Sequence, residues 1–222
     1  MTAADAGASP HAALEALIAW ATSDERKDDL LKGKAEYFQR TGEVFDDDRQ
    51  LEARMAGFLE FFVCDRVSPQ LGTTPAVARY ALALKDEGPE QARGWHAFTS
   101  TLRALFEVRA IGAGTVRLRE LFSQVDYEVA ERRHIVGLQV GDVLEARIIA
   151  WAGQYHFSGS WCWHPHEAAP SIVAEANRRL KEQDQRPPAD LADDCAQRSL
   201  KVDRYRQIPV ERIYEFAAAR PR

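Results

Sequence analysis

The chain has 222 residues, of which 45% are hydrophobic and 28% are charged, and its 34 acidic and 29 basic residues give a net charge of -5. This composition is typical of a folded protein that buries a core without disulfides or metal, and it excludes an intrinsically disordered chain. The mildly acidic balance argues against nucleic-acid binding over a wide surface, because such binding requires a basic footprint.

Helical periodicity dominates the first half of the chain. Ser9-Pro10 and Thr74-Pro75 are each typical of an N-cap followed by a proline in the first helical turn. Between them, apolar side chains recur at offsets of three and four over residues 51–63, which predicts a helix that faces the core. Asp46, Asp47 and Asp48 precede this helix. We expect them to cap its free N–H groups.

The pattern changes from helix to strand near Phe106. Gly88-Pro89 predicts a new helix that reaches Leu102 or Leu105. From Phe106 onward, apolar and charged residues alternate, which is the period of a half-buried strand. Glycine turns separate five such segments, at residues 106–110, 116–119, 127–131, 143–151 and 155–163. They predict an antiparallel meander or a small barrel.

Helical periodicity returns after Pro170, and Pro187-Pro188 and Pro209 separate two further helical segments. The sequence therefore predicts an α+β fold. It has a helical region at 1–104, an antiparallel β unit at 105–165 and C-terminal helices at 166–222, all within one integrated domain. Residues 1–8 are expected to be a flexible lead-in.

The cysteines and the N-terminus bear on cellular location. The chain has three cysteines, Cys64, Cys162 and Cys195, and their odd number and wide spacing predict no disulfide framework. Residues 1–11 lack the basic and apolar regions of a signal peptide. No apolar run approaches the ~20 residues that a membrane helix needs. We expect a protein of the reducing cytoplasm with no membrane segment.

The densest group of reactive side chains lies on the last predicted strand. His156, Cys162 and His164 have even numbers and would share one face of that strand, while its tryptophans fall on the other face. Imidazole and thiolate ligands suit zinc, so these three residues are a candidate metal site. The spacing matches no standard zinc motif. The alternative interpretation is an aromatic face packed on the core, with histidines hydrogen-bonded at a strand end.

A second reactive group follows the long helix of residues 51–63. The Cys64 thiol lies beside Arg66, which could lower the pKa of the thiol and make it a nucleophile. The C-terminal end of a helix is electronegative, which opposes thiolate formation. A small buried side chain is the favoured interpretation of Cys64. The phosphate-loop, dinucleotide, serine-hydrolase and zinc-protease motifs are all missing from the sequence, so no catalytic residue is assigned.

Aromatic and arginine side chains near the strand ends are the residue types enriched at interfaces. Trp151, Tyr155 and Arg147 are therefore the candidate binding residues. A small barrel could also bind single-stranded RNA with such residues. The side chains that could contribute are Arg117, Arg119, Arg132, Arg133, Arg147, Trp151 and Tyr155. Glutamates are interleaved with these arginines, which favours a solvated face of mixed charge.

Two stretches carry a resemblance to other proteins. The first is GEVFDDD from Gly42, running on to FLEFFVCDR from Phe58, and the second is GDVLEAR from Gly141 with the later FSG from Phe157. These stretches resemble a group of bacterial cytoplasmic proteins to which no activity is assigned. The resemblance implies a bacterial, cytoplasmic setting and implies no catalytic residues.

The sequence thus favours a non-enzymatic interaction or regulatory protein with a protein partner and no cofactor. A metal-dependent enzyme that uses zinc at His156, Cys162 and His164 is the first alternative. A single-stranded RNA-binding module built on the β unit is the second. The sequence leaves the identity of the partner and the oligomeric state open.

Overall fold

A computed structural model describes residues 9–131 and 137–216 of the chain. Before the sheet, the helices are α1 (Pro10–Ala21), α2 (Lys27–Thr41), α3 (Leu51–Cys64), α4 (Pro75–Asp86) and α5 (Pro89–His96). The strands are β1 (Leu102–Ile111), β2 (Thr115–Glu120), β3 (Asp126–Ala130), β4 (Val143–Trp151) and β5 (Gln154–Trp163). The helices α6 (Ala169–Lys181), α7 (Pro188–Arg204) and α8 (Val210–Ile213) follow. The predicted α+β class is confirmed, and the predicted lead-in at residues 1–8 lies outside the described residues.

The five strands close into a barrel in the order β1-β2-β3-β5-β4. Neighbouring strands are antiparallel except β3 and β5, which are parallel. A closed ring with an odd number of strands cannot alternate direction throughout, so one parallel pair is unavoidable. This order, with its parallel β3–β5 pair, is the topology of the OB fold, a five-stranded Greek-key barrel. Topology of this kind does not by itself assign a function.

Two groups of helices, one from each end of the chain, pack against the barrel. Phe106, Leu118 and Leu144 fill the barrel interior. Outside the barrel, Ile149 of β4 packs into the core of the N-terminal helices, while Val143 of the same strand packs into the core of the C-terminal helices. Strand β4 is therefore buried on both faces, because its inner face lies in the barrel and its outer face packs on both groups of helices.

Two expectations for the N-terminal helices were wrong. The helix after Gly88-Pro89 ends at His96, and both Leu102 and Leu105 lie in β1. Residues 97–100 turn the chain, and the Thr99 hydroxyl donates to the His96 carbonyl at 2.8 Å. Strand pairing with β4 then determines the conformation of both leucines.

The aspartates before α3 do not cap that helix, because its N-cap is Gln50. The Asp48 carboxylate instead accepts a hydrogen bond from the Phe45 amide at 2.7 Å and pairs with Arg204 of α7 at 2.6 Å. This ion pair holds the pKa of Asp48 below its usual value. Asp48 therefore closes a turn and ties it to the C-terminal helices.

The two proline-containing helix starts are confirmed. The side chains of Ser9 and Thr74 accept hydrogen bonds from the amides of Ala12 at 3.2 Å and Val77 at 3.4 Å. Replacing Thr74 with alanine leaves a first-turn N–H group without its partner, so we expect the free energy of unfolding to fall by about 1 kcal/mol. Chemical denaturation should show a smaller decrease in the free energy of unfolding for Thr74→Ser, because serine keeps the hydroxyl. Equal losses for both variants would contradict the capping role.

Candidate functional site

The three predicted metal ligands are not brought together. His156 lies near the start of β5, where it is paired with Ala130 and Ile149, whereas Cys162 and His164 lie at the other end of the strand. Within residues 9–131 and 137–216, no group of three His, Cys, Asp or Glu side chains is placed to hold a metal ion. The arrangement of these side chains gives no support to the zinc hypothesis.

His164 is a buried residue at the junction of the barrel and the C-terminal helices. Its side chain is 3% exposed, and its Nδ1 lies 3.0 Å from the Tyr214 hydroxyl of the segment after α8. Its Nε2 is buried and has no hydrogen-bond partner in the protein. Burial, with a contribution from the charge of Arg54, lowers the pKa of His164 to about 3. The imidazole is therefore neutral at physiological pH and part of the packing.

The thiols are poor nucleophiles in this environment. Burial raises the pKa of Cys162 to about 11, and the carboxylate of Glu145 adds to this effect. Burial likewise raises the pKa of Cys64 to about 11, although the nearby Arg147 acts in the opposite direction. Both cysteines remain protonated at neutral pH, which favours the interpretation as small buried side chains.

Arg147, a predicted binding residue, lies in the interior instead of at a surface. It is 1% exposed, and its guanidinium donates to Asp65 Oδ1 at the end of α3 at 3.0 Å and to the Thr101 hydroxyl at 2.6 Å. It also lies 3.4 Å from Glu60 of α3. Arg147 therefore joins β4 to the N-terminal helices and is not accessible to a ligand.

A second ion network joins the barrel to the C-terminal helices. The Arg103 guanidinium of β1 lies 2.5 Å from the Glu145 carboxylate of β4 and 2.9 Å from the Asp193 carboxylate of α7. Arg40 of α2 reaches the same Asp193 at 2.6 Å. These charges are paired across three parts of the fold, namely α2, the barrel and α7.

Glu60 covers an edge of the barrel. Among the described residues, β3 pairs with β5 only through Val129 with Tyr155 and Ala130 with His156. Further along β5, the Glu60 carboxylate accepts hydrogen bonds from the Ser158 hydroxyl at 2.8 Å and the Ser160 amide at 3.2 Å. Burial raises the pKa of Glu60. Its contacts therefore give this carboxylate a structural role at the strand edge.

A surface groove lies where the β4–β5 turn meets α5. It has a volume of about 510 Å³ and is lined by Glu90, Arg93, Gly94, His96, Ala97, Ala150, Trp151 and Ala152. We call this feature the Trp151 groove. Its volume lies within the range of small-molecule and peptide pockets. The Trp151 ring rests on Phe98 of the N-terminal core, with centroids 6.2 Å apart.

The β4–β5 turn fixes one wall of the Trp151 groove. Trp151 pairs with Gln154, and the two residues between them, Ala152 and Gly153, have φ angles of 49° and 81°. Two successive left-handed residues form the tight hairpin turn that matches the twist of the strands. Ala152 adopts this conformation at a cost of roughly 1 kcal/mol, because its Cβ crowds the backbone. The position of Trp151 in the groove is thus fixed by a tight hairpin turn.

Tyr155, the third predicted binding residue, lies just beyond this turn and is 39% exposed. Its ring packs edge-on against Tyr127 of β3, with centroids 5.2 Å apart. Trp151 and Tyr155 are therefore both accessible near one end of the barrel. The lining residues Arg93 and His96 were missed by sequence reasoning, because only the tertiary contact of α5 with the turn gives them a role.

The uncovered face of the barrel carries balanced charge. Its outward charged side chains are Glu107, Arg109, Arg117, Arg119, Asp126 and Glu128. Arg119 forms two hydrogen bonds to Asp126, at 2.7 and 3.2 Å, and Arg109 lies 2.9 Å from Glu107. Arg117 is opposite Glu128 in the strand register. This face supports the expected mixed-charge surface, while Arg132 and Arg133 lie outside the described residues.

Comparison with known proteins places the chain in a family. Neither the curated proteins nor the solved structures include a match to it. Within the described parts of the chain, no helix combines the length and apolar character needed to cross a bilayer. A family model described as a family of unknown function, DUF7986, matches residues 31–191, which is more than two thirds of the chain and spans both the barrel and the Trp151 groove. The chain therefore belongs to the DUF7986 family.

Proposed function

We propose that this protein is a non-enzymatic interaction module that binds a peptide segment of a protein partner in the Trp151 groove. The observation that carries the proposal is the groove itself, an open cleft of about 510 Å³ in which a partly buried tryptophan lies beside small residues. Gly94, Ala97 and Ala150 leave room for incoming side chains. Tryptophan and arginine are the residue types that dominate the energetics of protein interfaces.

The charges of the groove favour a peptide over a nucleic acid. Its lining contains one arginine and one glutamate, Arg93 and Glu90, which face each other at 3.1 Å. A phosphate backbone would require an excess of cationic side chains. A peptide needs apolar contact with a few polar groups at the rim, which is the composition of ordinary protein interfaces.

A substitution on the groove surface can fill the Trp151 groove and leave the core unchanged. Ala150 is exposed and lines the groove, so Ala150→Trp should obstruct it while the fold is retained. Ala113→Trp places the same side chain in the exposed β1–β2 turn and serves as the matched control. Tagged versions would be purified from native cells under mild conditions, and the recovered proteins identified by mass spectrometry.

We expect one protein to be recovered with both the wild type and Ala113→Trp, and its recovery with Ala150→Trp to fall more than about tenfold, which corresponds to about 1.4 kcal/mol of binding free energy. The same proteins in equal amounts with all three versions would contradict the assignment of the groove. Recovery of a second copy of the chain alone would identify the groove as a self-association site instead.

Single-stranded RNA binding by the barrel is the second candidate, because the strand order is that of a fold that often binds oligonucleotides. The ion pairs of the uncovered face weigh against it. RNA retention that weakens steeply with added salt, and that Arg117→Glu abolishes, would favour this candidate.

A further inference from the structure

A small, partly open cavity lies between α3 and the barrel, distinct from the Trp151 groove. Its volume is about 20 Å³, and its walls include Arg54 and Gly57 of α3 with Glu145 and Arg147 of β4. A cavity needs roughly 10–15 Å³ to contain one water molecule. The cavity therefore has room for one small molecule of the size of water.

Three buried polar atoms of these wall residues have no hydrogen-bond partner in the protein: Arg54 Nε, Arg147 Nε and Glu145 Oε2. The three residues are 3%, 1% and 7% exposed, respectively. Other atoms of the same side chains are well partnered. Arg54 Nη2 donates to the Thr41 carbonyl at 2.5 Å, and Glu145 Oε1 accepts from Arg103 at 2.7 Å. The side chains are thus held in place while one atom of each makes no hydrogen bond, and Arg147 Nε lies 3.4 Å from Glu60 Oε2 in an ion pair.

The donors and acceptors decide which molecule fits. Arg54 and Arg147 each offer an N–H donor, and Glu145 offers an acceptor oxygen. The cavity is also lined by Glu60 and Arg103, so an anion would be repelled by two carboxylates and a cation by three guanidinium groups. A water molecule accepts two hydrogen bonds and donates two, so it matches this set. We infer that the cavity binds one ordered water, which accepts from Arg54 Nε and Arg147 Nε and donates to Glu145 Oε2.

This water joins α3 to β4, between the Arg147 network and the Arg103 network. Gly57 helps to keep the site open, because a Cβ atom at this position would lie 2.8 Å from the Tyr37 hydroxyl. The two ion networks therefore meet through a solvent molecule instead of through direct contact.

Crystals of the full chain would be grown in sodium bromide, and anomalous diffraction data would be collected to locate bromide. The wild type should contain a water peak within hydrogen-bond distance of all three atoms and no bromide signal there. In Glu145→Gln the amide can direct an N–H group into the cavity. Three donors then converge and one of the two carboxylates that line the cavity is gone, so we expect bromide in place of water. Glu107→Gln, which removes a carboxylate from the uncovered barrel face, is the matched control and should contain water.

Bromide in the wild-type cavity would overturn the inference, because the site would then select anions. An empty cavity with the two arginines repositioned would overturn it as well. Water without bromide in Glu145→Gln would show that the assigned acceptor role of Glu145 is wrong. Should that variant fail to fold, the wild-type structure alone still decides between water, anion and an empty cavity.

Discussion

Replacement of Arg147 by methionine is expected to lower the free energy of unfolding by about 3–5 kcal/mol. The methionine side chain fills similar space but cannot donate to Asp65 or offset the charge of Glu60. Glu60 is 4% exposed, so its carboxylate would remain in the interior without its cationic neighbour. A buried charge that loses its partner is more costly than a lost surface ion pair.

Urea denaturation followed by circular dichroism would measure the change. Arg117→Met is the matched control, because Arg117 is exposed on the barrel face, and we expect a change within about 0.5 kcal/mol. The double variant Arg147→Met/Glu60→Gln should recover part of the loss, since the uncompensated charge is then removed. Equal stability of Arg147→Met and Arg117→Met would show that the buried ion pairs do not hold the fold together.

Acidification should destabilise the protein through His164 before most carboxylates titrate. The pKa of His164 is about 3 in the fold, against 6.5 for an ordinary histidine. Between these values the unfolded chain binds a proton that the folded chain does not. The contribution of His164 to the free energy of unfolding is therefore fully present above pH 6.5 and decreases as the pH falls toward 3. The expected loss between pH 7 and pH 5 is roughly 2 kcal/mol.

The matched variants separate this effect from general acid denaturation. His164→Gln removes this group, so its stability should depend much less on pH between pH 7 and pH 5, with a residual dependence from His156, whose pKa burial also lowers. Tyr214→Phe removes the hydroxyl 3.0 Å from His164 Nδ1 but leaves the imidazole, so the pH dependence should persist. Denaturation curves at several pH values would give the slope of the free energy of unfolding against pH for each variant. An unchanged slope in His164→Gln would show that another group is responsible.

The β unit was the part of the fold that the sequence predicted best. The segment predicted at residues 143–151 is β4 as observed, and the segment predicted at 155–163 begins one residue late. Alternation of apolar and polar residues with glycine turns defines such strands locally. The strand order and the parallel β3–β5 pair were not predicted, because they depend on which distant strands meet.

Helix α4 illustrates the limit of periodicity. Val77 and Leu84 are large apolar residues seven positions apart, a spacing that places them on one helix face, yet they are 37% and 41% exposed, while Ala76 and Ala83 are buried. Close packing of α4 against neighbouring helices selects the small alanine side chains. Periodicity marks which residues could be buried, but the approach distance between helices decides which of them are.

The candidate site was predicted in part. Trp151 and Tyr155 were identified from residue type, and both lie at the same end of the barrel. Arg147 was selected by the same rule but is buried among carboxylates. Residue type cannot distinguish an arginine at an interface from one inside an ion network, because the partners are far away in the sequence.

The sequence by itself determined the α+β class, two proline-containing helix starts and the positions of most strands, because each depends on residues a few positions apart. Only the tertiary structure decided the barrel closure, the burial of Arg147 and His164, and the Trp151 groove. The buried charges belong to this second group, since Arg147 and Asp65 are 82 residues apart and Arg103 and Asp193 are 90 apart. Such pairs form only when the folded chain excludes water around them.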